Sequence, residues 1–361
     1  MDYMQQALDL AGQALGIANP NPPVGAVVVN NGKIVGQGHT LRPGASHAEV
    51  VALQNAGHLA NGSTLYTTLE PCCHFGKTPP CTDLIIQSGV REVRIALIDP
   101  NPLVNGKGVA ALEQAGVIVT LWSGKEESRD IADAYIKFMN TGLPLVIAKF
   151  AMSLDGKIAV SSGDSKWITS EESRRYVGHI RSQVDVIAVG IGTAIKDNPK
   201  LTARDANGND FDRQPIKLVI DSNARLPLDL NVLNSGDGNL IIATVGKFPD
   251  REIALRELGA EVIVTKNSIG KVDLKELLHN LGNKGITSVL IEGGGTLLGS
   301  FFDLGLVDKV IAFIAPVIIG GGNSPTPVAG NGVADMANAL RLIRSKVHLF
   351  ENDVMITGYT G

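Results

Sequence analysis

Two α/β domains in series are the fold class this sequence predicts, and three observations predict it. Short apolar runs bounded by turn residues alternate with segments whose apolar residues recur at helical spacing, the pattern of layered α/β domains. The chain has 361 residues, enough for about two domains at ~150 residues each. The alternation restarts around "FMNTGLPLVIAKF", which places a boundary at residues 142–144 and divides the chain into 1–143 and 144–361.

The elements follow in order. Met4, Leu8, Ala11 and Leu15 recur at helical spacing, so the chain opens on an amphipathic helix. "NPNPPVG" ends it, because proline lacks an N–H and restricts the residue before it. "AVVV", "NNGK" and "IVGQG" read as a hairpin. "HAEVVALQNAG" is a helix closed by Gly57, and "STLYTTL" is a strand. "CTDLIIQSG" is a helix entered through Pro79 and Pro80, which suit a first turn. "VREVRIALI" (strand), "GVAALEQAG" (helix) and "VIVTLW" (strand) finish the first domain. In the second, "LVIAKFAM", "DVIAVG", "KLVIDS", "LIIATV", "EVIVT", "SVLIEGG" and "DKVIAFIAPVII" are strands. The helices "SEESRRYVGHIRSQ", "REIALRELG" and "DLKELLHNL" lie between them. Such continuous apolar strands indicate a sheet buried on both faces.

Composition narrows the function classes. Net charge is -4, with no dense Lys/Arg run, so no nucleic-acid partner is expected. Three cysteines, two of them adjacent, do not form a secreted disulfide framework and point to a reducing compartment. No basic stretch precedes an apolar core at the start, and no apolar run approaches the ~18–20 residues that span a bilayer. A soluble cytoplasmic protein with no membrane partner, assembling as a homo-oligomer, is expected.

All three cysteines fall in "LEPCCHFGKTPPC", downstream of "PGASHAEVVAL". Thiolate and imidazole both suit zinc. One His and two Cys leave the fourth tetrahedral position to water, the open arrangement of catalytic sites. "HAE" followed by "PC" is the pattern of zinc nucleobase deaminases, in which a carboxylate beside the metal shuttles protons. The usual second cysteine, three residues beyond the first, is missing here. Cys81 is the better partner for Cys72, because it starts a helix whose dipole stabilises a thiolate, whereas adjacent Cys73 would point away. The ligands read from the chain are His47, Cys72 and Cys81, with Glu49 catalytic and Cys73 a small packing residue. "SHAE" also fits a capping box, with Ser46 as N-cap and Glu49 as its reciprocal partner.

"NPNPPVGAVVV", "HAEVVAL", "TLEPCCHFGKTPPCTDLII" and "DPNP" closely resemble the deaminase half of the bifunctional riboflavin-biosynthesis deaminase–reductase family. The departures are Asn19, where the family has His, and Cys73, where it often has Ser or Ala. The resemblance implies a cytidine-deaminase-like three-layer αβα domain. In its loop, His74 and Lys77 are candidates to hold a substrate phosphate, and a solvated loop lysine is the other reading. Asn21 is a candidate reader of the pyrimidine ring or part of an Asn-Pro turn.

"SVLIEGGGTLLGSFF" is strand, glycine turn and helix, which could receive a phosphate. Leu298 stands where G-x-G-x-x-G needs its last glycine, and the turn comes too late in the domain for a Rossmann fingerprint. "KFAMSLDGKIA", "SGDSKWITS", "IRSQVDVIAVGIGTAIKDNPKLTAR", "VIDSNAR", "IEGGGTLLGSF" and "IAPVIIGG" resemble the reductase half of the same family. That half has a dihydrofolate-reductase-like α/β fold and uses NADPH. By this resemblance Ala151, Trp167, Thr193, Asp197, Ser222, Gly294, Gly295, Thr296, Leu297, Leu298, Gly299 and Ser300 line the cofactor site. Ser165, Arg181, Leu201, Arg204 and Glu292 hold the substrate. Arg181 and Arg204 have the chemistry to grip a phosphate with two bonds. Arg225 is either a partner of the cofactor's 2′-phosphate or a member of a surface ion pair.

The implied function is zinc-dependent hydrolytic deamination of a diaminopyrimidinone ribosylamine 5′-phosphate, then NADPH-dependent reduction of its ribosyl group to ribityl. The alternative is a nucleobase- or tRNA-editing zinc deaminase with a non-catalytic C-terminal domain.

Overall fold

The computed structural model describes residues 2–122, 125–205, 207–233 and 239–361. Contacts divide the chain into two compact units, Met1–Leu143 and Pro144–Gly361. Among the described residues, no helix is long and apolar enough to cross a membrane.

The first unit opens with α1 (Tyr3–Ala14), capped by Asp2, whose carboxylate accepts the Met4 and Gln5 amides. β1 (Gly25–Asn30) and β2 (Lys33–His39) pair antiparallel around Asn31 and Gly32, both at positive φ, as the expected hairpin turn requires. Then come α2 (Ala48–Ala56), β3 (Thr64–Thr67), α3 (Cys81–Gln87), β4 (Glu92–Ile95), α4 (Lys107–Gln114), β5 (Ile118–Leu121), α5 (Lys125–Ile131) and α6 (Asp133–Thr141). The sheet order is β2-β1-β3-β4-β5, with β3, β4 and β5 parallel.

Strand side chains alternate between the two faces of this sheet. On one face, Met4, Ala7 and Leu10 of α1 pack with Val27, Val29 and Ala96. On the other, Ala52, Leu53, Ile85 and Leu112 of α2, α3 and α4 pack with Ala26, Val28, Leu65 and Val93. The result is three layers, αβα. A Cβ on Gly36 would lie 2.1 Å from the Ala52 carbonyl oxygen, so glycine in β2 is what lets α2 settle this close. That contact seats the α2 N-terminus, where His47 and Glu49 reside.

The second unit comprises β6 (Leu145–Ser153), α7 (Glu171–Gln183), β7 (Val186–Gly190), α8 (Ile191–Asp197), β8 (Ile216–Ile220), β9 (Leu240–Thr244), α9 (Pro249–Glu257) and β10 (Glu261–Val264). It continues through the short ribbon β11 (Asn267–Ser268) and β12 (Lys271–Val272), α10 (Leu274–Asn283), β13 (Ser288–Ile291), α11 (Gly295–Asp303), β14 (Lys309–Ala315), β15 (Ile343–Phe350) and β16 (Asp353–Tyr359). The large sheet runs β10-β9-β8-β7-β13-β6-β14-β16-β15. Its strands are parallel from β10 through β14, and β16 and β15 add an antiparallel hairpin. The interior strands β7, β8, β9 and β13 are buried almost throughout, as their apolar runs predict.

Three features depart from the sequence reading. The N-cap of α2 is His47, not Ser46, and no side chain caps that end, so the capping-box reading of Glu49 fails. Helices α5, α6 and α8 go unanticipated. So does the β15–β16 hairpin, because β15 is an exposed edge strand with no apolar run to announce it.

Candidate functional site

The first site forms where two chain segments meet. The α2 N-terminus presents His47 and Glu49, and the chain after β3 brings Cys72 back to the first turn of α3, which starts at Cys81. His47 Nδ1 lies 3.5 Å from Cys72 Sγ and 3.3 Å from Cys81 Sγ. The three donor atoms lie within 4.8 Å of one another. Zinc–sulfur and zinc–nitrogen bonds of about 2.3 and 2.05 Å at a tetrahedral angle set N and S about 3.6 Å apart, so this donor set fits zinc. The Cys81 backbone N–H donates to Cys72 Sγ at 3.4 Å, and Thr78 Oγ1 lies 3.5 Å from His47 Nε2. That contact orients the ring and leaves Nδ1 for the metal.

The electrostatics suit a metal centre. The Cys81 hydrogen bond, helped by His47, pulls the Cys72 thiol down to about 4. The same bond and burial push Cys81 up. Metal binding requires both sulfurs as thiolates, and a divalent cation between them offsets the repulsion that this brings. Glu49 is buried, with Oε2 3.7 Å from Cys81 Sγ. Burial, followed by the Cys72 charge, raises its carboxyl to about 7, where it can both accept and return a proton at neutral pH.

Cys73 stands apart, half-buried, with Sγ 3.7 Å from the Leu103 carbonyl oxygen. His74 and Lys77 sit in the loop between the ligand cysteines, where His74 Nδ1 is buried without a hydrogen-bond partner among the described residues. Asn21 lies in the turn after α1 and donates its backbone N–H to Ala18. Sequence reasoning missed Thr78 and Glu70. The Glu70 carboxylate accepts the Asp99, Gly106 and Val109 amides, tying the residue before "PC" to the "DPNP" turn.

The second site is a cleft of about 720 Å3 at the carboxyl ends of β7 and β13, closed by α7 and the segments at 165–169, 199–205 and 207–208. It gathers Ala151, Ser165, Trp167, Arg181, Thr193, Asp197, Leu201, Arg204, Glu292 and Gly294 from six separate stretches. Thr193 Oγ1 accepts the Gly294 N–H at 3.1 Å, joining α8 to the start of α11. Trp167 is 71% exposed, with the Arg174 guanidinium 4.5 Å from its ring centroid. Leu201 is buried at φ 53, a left-handed backbone uncommon outside glycine and typical of functional loops.

The two arginines differ. Arg181 Nε donates to Glu292 Oε1 at 3.2 Å and Nη2 to Oε2, so its fork is filled by a carboxylate rather than open to a phosphate. Arg204 is half-exposed and touches Thr202 Oγ1 at 3.0 Å and Asp210 at 3.4 Å. Arg181 and Lys149 overcome burial and hold Glu292 down at about 2. Burial lowers Lys149 in turn, opposed by Glu292. Lys149 lines the cleft but was missed, although a lysine inside "LVIAKFAM" is the signal that marks it.

The rest of the glycine turn lies outside this lining. A Cβ on Gly299 would meet the Ala329 carbonyl oxygen at 2.1 Å, and one on Gly295 the Thr326 carbonyl oxygen at 2.4 Å. These glycines let the chain at 326–330 lie against α11. Leu298 is buried, and Ser300 Oγ bonds the Thr296 carbonyl oxygen. Leu297 packs beside Gly190 and Gly293. Ser222 sits one strand outward, at the end of β8, where Oγ accepts the Val272 N–H at 3.1 Å.

Comparisons with known proteins agree with this division. Residues 144–356 match the RibD C-terminal domain, and residues 1–97 match the cytidine and deoxycytidylate deaminase zinc-binding region. The riboflavin biosynthesis protein RibD of Actinobacillus pleuropneumoniae is 42% identical over 99% of this chain and 94% of its own length. That of Aquifex aeolicus is 41% identical over 98% of this chain and 97% of its own. The structure of Acinetobacter baumannii RibD superposes with a TM-score of 0.87 at 35% identity, covering 99% of this chain and 98% of that one. The diaminohydroxyphosphoribosylaminopyrimidine deaminase/5-amino-6-(5-phosphoribosylamino)uracil reductase of Thermotoga maritima gives 0.84 at 34%, with the same coverage. The chain belongs to the RibD family of riboflavin biosynthesis, with a zinc-dependent deaminase unit followed by an NADPH-dependent reductase unit.

Proposed function

We propose that His47, Cys72 and Cys81 hold the zinc, that Glu49 moves the protons of deamination, and that Lys149, Arg181, Arg204 and Glu292 form the reductase's substrate site. The observation that carries this reading is the convergence of two sulfurs and His47 Nδ1 beside a buried carboxyl tuned near neutrality. Zinc supplies, when bound, a water acidified enough to act at neutral pH. Glu49 takes a proton from the attacking water and delivers it to the departing amine. Water's oxygen bonds the ring carbon, the carbon–nitrogen bond breaks, and ammonia leaves. His74 and Lys77 hold the ribose phosphate, and Asn21 contacts the pyrimidine.

In the second unit, opening of the furanose leaves a C1′=N double bond. NADPH supplies hydride when bound, which goes to C1′, while a proton goes to nitrogen. Lys149 is suited to give that proton, because burial weakens its hold on it. Glu292 stays ionised and, clamped by Arg181, orients the substrate. Ala151, Trp167, Thr193, Asp197 and Gly294 hold the cofactor, with Ser222 one strand outward, and the cleft aligns it with C1′. The activity is assigned to the cytoplasm. The exposed edge strand β15, with Val347 and Leu349 outward, supports a homo-oligomer.

Ammonia release from the diamino substrate, followed by NADPH oxidation, tests the overall reading. Within it, Arg204→Ala is expected to raise KM for the phosphorylated substrate about ten- to hundredfold, the loss of one charge-assisted phosphate contact of ~1.5–3 kcal/mol. NADPH affinity should be unchanged. A titration in which NADPH binding weakens by that factor would assign Arg204 to the cofactor instead.

A further inference from the structure

We propose that Asp210 holds Arg204 until a substrate phosphate displaces it, and so sets how tightly the reductase unit grips phosphorylated ligands. The proposal rests on the reading of Arg204 as a substrate residue and adds a competitor for it within the chain.

The backbone around Arg204 is fixed from several directions. Residues 203–205 run antiparallel to 209–211. The Phe211 N–H donates to the Ala203 carbonyl oxygen at 3.2 Å, and the Asp205 N–H to that of Asn209 at 2.8 Å. Gln214 secures the base of this turn: it accepts the Ala203 N–H and donates to the carbonyl oxygens of Ala203 and Phe211. A Cβ on Gly178 would lie 2.3 Å from the Arg204 carbonyl oxygen, so α7 packs directly on this backbone.

The side chain is held far less. Arg204 lines the cleft, whereas Asp210, its partner across the turn, lies outside the lining. Opposed residues of an antiparallel pair place their side chains on one face. Arg204 Nε bonds Thr202 Oγ1 at 3.0 Å and stands 3.4 Å from Asp210 Oδ1. Its two terminal nitrogens make no hydrogen bond among the described residues. The two aspartates of the turn differ. The Asp205 carboxylate accepts the Asn207 and Asn209 N–H groups and so shapes the turn. The Asp210 carboxylate makes no hydrogen bond among the described residues, and Arg204 is its ion-pair partner. Asp210 therefore neutralises a cation that faces the cleft without building the turn.

Exposure makes this pair displaceable. The side chains of Arg181 and Glu292 are 27% and 10% exposed, and breaking so buried a pair leaves a charge uncompensated. Those of Arg204 and Asp210 are 44% and 60% exposed, and such a pair contributes little. A dianionic phosphate offers the guanidinium two charge-assisted bonds. It takes the lightly held arginine and leaves the filled one alone. Reduction at C1′ does not alter the phosphate, so Asp210 weakens substrate and product alike. It is a positioning residue that acts on binding and release through Arg204.

Steady-state NADPH oxidation by the purified full chain on the already deaminated substrate, with ribose 5-phosphate as competitive inhibitor, tests the proposal. Asp210→Asn should lower both KM and the inhibition constant about two- to fivefold, the range of an exposed ion pair. The gain should shrink at high salt. Asp210→Glu should behave as wild type. The single-turnover rate at saturating substrate should not change, because the hydride step is untouched. In an Arg204→Ala background, Asp210→Asn should change nothing. A raised KM in Asp210→Asn would make Asp210 a support that orients Arg204 and would overturn the proposal, as would no change. The same gain in the Arg204→Ala background would also overturn it, by reducing the effect to net charge. An Arg204→Ala protein with unaltered KM would instead remove Arg204 from the substrate site.

Discussion

Glu49→Gln is expected to cut ammonia release from the diamino substrate by about 10²–10⁴, the range for a lost general acid–base group, while zinc remains bound. Gln keeps the shape and polarity of Glu but carries no titratable proton near pH 7. The position is buried, and no water replaces the carboxyl easily there. Because His47, not Ser46, caps α2 and no side chain closes that end, Glu49 is not part of a reciprocal cap whose loss would unfold the helix. Unchanged thermal stability with near-normal ammonia release would remove Glu49 from the chemistry.

Cys72→Ser and Cys81→Ser should each lose zinc and deamination, because each removes one of three protein ligands and leaves a harder oxygen donor. Cys73→Ser should keep both, since its sulfur faces the Leu103 carbonyl rather than His47. Metal analysis of the three purified variants decides the matter. Zinc retained in Cys81→Ser and lost in Cys73→Ser would reverse the ligand set.

How much of this was legible in the sequence depends on the range of the interaction involved. Cys81 could be chosen over Cys73 because both arguments for it are local: a helix start stabilises a thiolate, and adjacent side chains diverge. The strands β7, β8, β9 and β13 were legible because each is an unbroken apolar run. Strand β15 was not, since an edge strand buries too little to need such a run. Nor was the role of Gly299, which concerns a segment thirty residues away in sequence. A glycine-rich turn reads the same whether it admits a phosphate or another stretch of backbone. Arg181 and Arg204 likewise look alike in sequence. Only the fold brings Glu292, 111 residues from Arg181, into the fork of one and not the other. Lys149 was visible as a charge in an apolar strand, but its partners Glu292 and Phe313 come from β13's end and β14.

The central claim is that one chain carries two chemically separate sites used in sequence. NADPH oxidation by the Glu49→Gln protein tests it most directly. Supplied with the already deaminated substrate, this variant should oxidise NADPH at the wild-type rate, because its reductase unit has its own fold and cleft. Supplied with the diamino substrate, it should oxidise almost none. Loss of oxidation on the deaminated substrate, or undiminished oxidation on the diamino one, would contradict the account.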